Sequence, residues 1–171
     1  INRFDKLEFL HLTQEQSSQL RTLHKKFSSV FDDRPGNCTT ATHRIDLVDG
    51  AKPNALRPYR IPRSLDDEVN RQVDDLLLMG KIRPSTSEFA HPIVCVSKPS
   101  GDIRFCMDLR MVNSQTIPVR YPMPRMDDLL GRIAPAKFVS KIDCSQGYYQ
   151  IPMDPGSVHK TAFVTNRGQY E

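Results

Sequence analysis

None of the four cysteines (Cys38, Cys95, Cys106, Cys144) stands in a CxxC pair, and none has a histidine at zinc-ligand spacing. A zinc site is therefore not expected. Cys95 and Cys106 fall in apolar runs, where a reduced core thiol is the ordinary reading, and this suits a reducing compartment. No apolar run approaches the length of a bilayer span. Residues Ile1–Leu10 mix charge with hydrophobe and carry no signal-peptide pattern. Internal repeats and low-complexity tracts are also missing. The chain has no initiator Met and stops within a strand-like run at Tyr170-Glu171, so it reads as a piece of a longer protein.

What is present is a foldable composition: 38% hydrophobic and 26% charged residues leave room for a packed core. Proline is frequent after Pro53, which favours extended segments and turns there. The net charge of +4 is uneven. Residues 1–50 hold 7 basic and 7 acidic side chains, so the excess lies in residues 51–171. That excess permits nucleic-acid binding, and a soluble surface explains it equally well.

Thr13-Gln14-Glu15-Gln16 is a capping box, and Leu20, Leu23, Phe27, Val30 and Phe31 follow at helical spacing. Turn chemistry at Asp32-Asp33-Arg34-Pro35-Gly36 predicts where that helix stops. Ala41, His43, Ile45 and Leu47 suggest a short strand, with His43 a structural histidine. Lys52 to Pro62 reads as an extended, basic, solvated linker. Ser64-Leu65-Asp66-Asp67 predicts a second helix with Leu65, Val69, Val73, Leu76 and Leu77 on one face and Gly80 as its stop. Ile93–Val96 and Ile103–Asp108 flank a turn at Lys98–Asp102 and predict a β-hairpin. Pro122 and Pro124 precede a third helix with Met126, Leu129, Leu130 and Ile133 inward. Phe138–Asp143 and Thr161–Val164 read as strands, the second followed by a hairpin turn at Asn166-Arg167-Gly168. Mixed helices and hairpins make the expected class α+β with antiparallel sheet.

Three features are suited to chemistry. Asp143 closes a predicted strand, where a carboxylate can be offered to a divalent cation; two-metal phosphoryl transfer needs such hard oxygen ligands. Most strand-end aspartates are solvated turn residues instead. Ser145-Gln146-Gly147-Tyr148-Tyr149-Gln150 follows at once, with Gly147 allowing close backbone approach and Tyr148 offering a rigid ring; a plain turn with Tyr149 in the core is the other reading. The hairpin carries Lys98 near its tip and Arg104 on the returning strand. Such cations suit a polyphosphate, although Lys and Arg also commonly protect edge strands.

Taken in order, the motifs resemble a known family. His43-Arg44-Ile45-Asp46, Ala51-Lys52-Pro53 and Arg57-Pro58-Tyr59-Arg60-Ile61-Pro62 look like the start of the reverse transcriptase region in Pol polyproteins of Ty3/gypsy-type LTR retrotransposons. Gly80 through Ser87, Arg104 through Arg110 with Asn113, Tyr121 through Arg125, Asp143 through Pro152, and Lys160 through Phe163 are similar to its later motifs. The likeness runs from about Leu12 to the last residue. It implies the fingers and partial palm of a right-hand polymerase, truncated before the second catalytic motif. Residues 1–40 would be an N-terminal helix and linker, 41–117 fingers, 118–150 the first part of the palm, and 151–171 a return to the fingers.

The resemblance also implies roles. Asp143 would be the first catalytic aspartate, binding two Mg²⁺ ions, with the backbone carbonyl of Cys144 a further ligand. Lys98 and Arg104 would contact the incoming triphosphate. Tyr148 would lie under the deoxyribose and exclude a 2′-hydroxyl, and backbone N–H groups from Cys144 to Tyr148 would help hold triphosphate oxygens. The parent enzyme would be an RNA-directed DNA polymerase adding dNTPs to a primer 3′-hydroxyl on an RNA or DNA template. Its partners would be that nucleic acid, the dNTPs and the rest of the Pol polyprotein, with no membrane. Its place would be an intracellular, cytoplasmic particle, with a nuclear phase open to it. Cys144 and Gln146 depart from the family's usual residues. The Tyr/Phe-x-Asp-Asp motif with the other two carboxylates is absent from these residues, so the chain alone is expected to be inactive. The alternatives are a non-catalytic nucleic-acid-binding remnant and a host-adopted interaction protein.

Overall fold

Thr13 starts the first helix as its spacing predicts. Its hydroxyl accepts the Gln16 N–H (3.2 Å), and the Gln16 side chain accepts the Thr13 N–H (3.0 Å). The computed structural model, which describes residues 9, 11–31, 34–99 and 101–171, places α1 at Gln14–Lys26, followed by a short 3-10 turn at Ser28–Phe31. The α-helix ends at Lys26 with Phe27 as its C-cap, earlier than the predicted stop at Asp32–Gly36. Asp32 and Asp33 lie outside the described residues, as do Ser100 of the predicted hairpin turn and most of Ile1–Leu10. The apolar face of α1 is only partly covered: His24 is buried against Phe31, while Leu23, Phe27 and Val30 remain exposed.

The chain divides into two compact units. One comprises residues 1–38 and 141–151, the other residues 39–140 and 152–171. In the larger unit, α2 spans Asp66–Leu78. Ser64 does not cap it, contrary to expectation. Pro62 sets φ at −56°, and Arg63–Leu65 fold into a 3-10 turn that absorbs the serine. Asp66, Asp67 and Glu68 in the first turn complement the helix dipole instead. Val69, Val73 and Leu76 are buried, as the period requires. Gly80, at φ +65°, closes the helix: its N–H reaches the Leu77 carbonyl, and the Lys81 N–H reaches the Leu76 carbonyl.

Strands β1 (Ile93–Ser97) and β2 (Ile103–Met107) form the predicted antiparallel hairpin, with Val96 opposite Arg104 and Cys95 opposite Phe105. Alternation sends Ile93 and Phe105 to the core and leaves Val94, Val96 and Arg104 outward. A short α3 (Arg110–Ser114), too brief to show as a periodic signal, buries Val112. Strands β3 (Phe163–Thr165) and β4 (Gly168–Tyr170) make a second hairpin around Asn166-Arg167. The predicted strand at Thr161 starts later, because Val158–Thr161 coil into a 3-10 turn in which the Thr161 hydroxyl donates to the Val158 carbonyl.

Both edges of this second hairpin are covered. Arg83 and Glu171 exchange backbone hydrogen bonds (2.9 Å each), and Ser85 N–H donates to Gln169, on the β4 side. On the β3 side, His91 N–H donates to Ala162 and Val164 N–H to His91. The rings of Phe105, Phe163 and Tyr170 stack in sequence at 5.7 and 5.8 Å, tying β2 to β3 and β4. A second cluster joins Ile45, Phe89, Val112 and Ala162, with Leu47, Leu109 and Met153 packed on it.

Four further expectations are corrected. Residues 41–47 form no continuous strand: His43 pairs with Met153 and Leu47 with Thr116, so the two bridges face different segments and no ladder can propagate. The His43 side chain is exposed. Lys52–Pro62 is extended but not a free linker, since Leu56 and Asn54 bracket Ala90 by backbone bonds and the Tyr59 hydroxyl donates to Asp108 (3.0 Å). Helix α4 (Met126–Ile133) forms where predicted, yet Met126, Leu130 and Ile133 are more than half exposed, with no described element covering that face. Residues 138–143 are irregular: a strand needs a ladder partner for its N–H and C=O groups, and none of the described residues pairs with them.

Candidate nucleotide and metal site

Hairpin β1–β2 carries the two predicted cations. The five-residue connection is closed by Lys98 N–H to the Asp102 carbonyl and Gly101 N–H to the Lys98 carbonyl, and Gly101 adopts φ +89°, which glycine tolerates without a Cβ penalty. Lys98 and Arg104 are both exposed. The Arg104 side chain makes no hydrogen bond or ion pair among the described residues, so its five donors are available to an anion.

Asp143, Cys144 and Tyr148 belong to the other compact unit, so the predicted site residues fall into two groups. Asp143 and Cys144 lie on irregular, exposed backbone. The Asp143 carboxylate has no hydrogen-bond or ion-pair partner among the described residues. The turn that follows is built by Gln146 in the left-handed region (φ 49°, ψ 47°), whose carbonyl accepts the Tyr149 N–H (2.8 Å). Gln150 donates its side-chain amide to the Ser145 carbonyl (2.8 Å) and fixes the far end of the turn. A Cβ on Gly147 would sit 3.4 Å from the Cys144 Cβ, an ordinary contact, so close packing alone does not demand glycine there. This geometry turns Tyr148 fully outward, 99% exposed, while Tyr149 is half-buried.

Sequence reasoning missed a polar network beside the hairpin. Asp108, at the end of β2, takes a bidentate pair from Arg110 (2.8 and 2.7 Å) and the Tyr59 hydroxyl. Arg110 holds its carboxyl well below the usual range. The only available signal was an Asp-x-Arg spacing directly after a strand. Glu68 on α2 receives Arg71 and Gln72 side chains, and these hydrogen bonds lower its pKa to about 2. None of the four cysteines forms a disulfide; Cys95 and Cys106 are half-buried in the hairpin, and burial pushes the Cys95 thiol up.

Residues 96–170 match the family model described as reverse transcriptase (RNA-dependent DNA polymerase), and that span contains all five predicted site residues. The Pol polyprotein of the Drosophila melanogaster transposon 297 is 34% identical over 98% of this chain and 16% of its own length. The polyprotein of the gypsy transposon from the same fly is 37% identical over 86% of this chain and 15% of its own. The chain matches the reverse transcriptase region of LTR-retrotransposon Pol polyproteins.

This reverse transcriptase region also has close structural counterparts. A crystal structure of prototype foamy virus protease-reverse transcriptase superposes with a TM-score of 0.81 at 27% identity, over 94% of this chain and 22% of that one. A foamy viral protease-reverse transcriptase in complex with double-stranded DNA gives 0.77 at 25% identity, over 94% of this chain and 29% of that one. The fold is thus the α+β partial reverse transcriptase fold expected from the motifs. The reverse transcriptase region spans about a sixth of the curated relatives it matches.

Proposed function

We propose that this chain supplies the first catalytic aspartate and the triphosphate-contacting hairpin of an RNA-directed DNA polymerase within a Pol polyprotein. The observation that carries the reading is the pairing of chemistry with availability. Arg104 and Asp143 stand at matching motif positions, and each is exposed and unpartnered among the described residues. In a surface selected only for solubility, an Arg and an Asp readily take local partners, as Arg110 does with Asp108.

Residues 41–117 and 151–171 would serve as fingers and 118–150 as the start of the palm. The template, primer and dNTPs would be the partners; the DNA-bound foamy viral relative supports a nucleic-acid duplex as one of them. The particle would be intracellular and cytoplasmic. Asp143 suits Mg²⁺ in kind, since a hard cation prefers carboxylate and carbonyl oxygen and this carboxylate is free. It does not suffice in number. Among the described residues no three His, Cys, Asp or Glu side chains gather to hold a metal. Bound Mg²⁺ would neutralise phosphate charge and lower the pKa of the attacking hydroxyl. This chain's own part is to hold the Asp143 carboxylate and Cys144 carbonyl in place, to pair Lys98 and Arg104 with phosphate oxygens, and to set the Tyr148 ring against the sugar. Catalysis of this type is positioning and charge neutralisation. One carboxylate being too few, the 171 residues alone are expected to incorporate no dNTP.

The test is Mg²⁺-dependent dNTP incorporation on a primed RNA template by the longest open-frame product that carries these residues, with Asp143→Asn as control. Loss of incorporation in the variant is expected. Incorporation that survives Asp143→Asn removes the role assigned to that residue. A second reading, nucleic-acid binding without chemistry, has its own support: Arg57 and Arg60 are exposed along one extended segment, and their side chains are unpaired among the described residues. It predicts salt-dependent binding in a product that incorporates nothing.

A further inference from the structure

Strand β2 has one edge paired to β1 and one edge that a lone hairpin would leave open. In an antiparallel strand the N–H and C=O of one residue point to the same side, and neighbours alternate. The open edge therefore belongs to Ile103 and Phe105, the residues on either side of Arg104. The side-chain amide of Gln72, projecting from α2, fills it. Its Nε2 donates to the Ile103 carbonyl (2.9 Å), and its Oε1 accepts the Phe105 N–H (3.3 Å).

The amide is itself oriented. Glu68, one turn earlier on α2, accepts a hydrogen bond from the same Nε2 (2.7 Å), which fixes which end of the amide is the donor. Arg71 in turn holds Glu68 through two contacts (2.8 and 2.6 Å) and Asp75 through a third (2.7 Å). A chain of hydrogen bonds, charge-assisted from Arg71 through Glu68 to Gln72, thus runs from the exposed face of α2 to the backbone on both sides of one arginine.

We infer that Gln72 is a positioning residue for Arg104. It immobilises the backbone from which the guanidinium projects, so that the free cation meets a triphosphate without first paying out the motion of an open strand edge. Packing gives the same anchor a rigid base. Phe105 is buried against Phe163, and α2 is seated by Val69, Val73 and Leu76. The inference rests on the reading that Arg104 contacts the nucleotide. It goes beyond that reading by assigning the geometry of that contact to a helix residue that touches no substrate.

The test uses the 171-residue chain and dTTP as probe, followed by NMR of the Arg104 side chain and of the backbone amides. In Gln72→Leu, exchange of the Phe105 amide should accelerate while the β1–β2 ladder amides keep their protection. The dTTP midpoint should weaken about fivefold, the scale of one or two net hydrogen bonds. Adding Arg104→Ala to Gln72→Leu should weaken binding no further than Arg104→Ala alone, an epistasis that general loss of stability would not produce. Should the leucine variant unfold, Gln72→Met keeps the straight chain and helix propensity and serves in its place. If Arg104→Ala weakens dTTP binding and neither Gln72 variant does, the positioning role is overturned and the nucleotide reading stands. If dTTP binding ignores Arg104→Ala, the nucleotide reading itself fails, and the role of Gln72 with it.

Discussion

Replacing Phe163 with Leu probes the joint between the two hairpins. Phe163 is 1% exposed, with ring partners Phe105 at 5.7 Å and Tyr170 at 5.8 Å. Leucine keeps the hydrophobic character but forfeits both ring contacts, each worth about 0.5–1.5 kcal/mol beyond burial. Imperfect refilling of the ring's space adds about 1 kcal/mol. The expected loss is about 2–4 kcal/mol, a large share of a domain's net stability. With a urea slope of about 2 kcal/mol/M, the midpoint should fall by about 1–2 M at unchanged slope. The matched control is Tyr148→Leu, which removes a ring 99% exposed and should move the midpoint by no more than about 0.5 kcal/mol equivalent. Backbone exchange in β3–β4 localises the effect to that hairpin. Equal destabilisation by the two variants would refute the assignment of one ring to the core and the other to solvent. It would also remove the free aromatic face on which the sugar contact depends.

Gly80→Ala should cost about 1 kcal/mol in thermal unfolding, because the left-handed φ of +65° at the end of α2 penalises any Cβ. Thr13→Ala removes the oxygen that accepts the Gln16 N–H and should lower the helicity of α1, by circular dichroism, on the scale of about 1 kcal/mol. Glu68 is held down from 4.5 to about 2 in the folded chain, chiefly by Arg71 and then Gln72. The folded form therefore binds fewer protons than the unfolded chain between those values, so this contribution is complete above about pH 5 and lost as pH falls towards 2. Amide exchange at Phe105 should loosen over that acid window and be indifferent to it in Gln72→Leu.

Local rules were readable where one segment contains its own partners. The Thr13 capping box, the Gly80 stop and the 93–107 hairpin each depend on residues a few positions apart, and each forms as read. Expectations failed where the partner lies elsewhere in the chain. Alternation at Ala41–Leu47 looks like a strand, but its two bridges go to Met153 and Thr116. Met126, Leu130 and Ile133 have the period of a buried helix face and remain exposed, since periodicity shows which side is apolar and not what covers it. Residues 138–143 have strand composition without a ladder. Of the proposed site, motif order points to Lys98, Arg104, Asp143 and Tyr148 and is silent on Gln72. A glutamine four residues after a glutamate on a helix is common, and only the fold aims it at the edge of β2.

Coverage of the second hairpin on both edges has a consequence for biosynthesis. Arg83, Ser85 and His91 take backbone partners in residues 162–171, so Arg83 must wait for Glu171, 88 positions later. At a synthesis rate of about 5–20 residues per second, that wait is roughly ten seconds. During it, the early hairpin and α2 lack the Phe163 ring that packs on Phe105 and the Tyr170 ring behind it. The nascent chain thus carries an open apolar seam until β4 emerges, a window in which a chaperone or a neighbouring nascent chain meets the same surface.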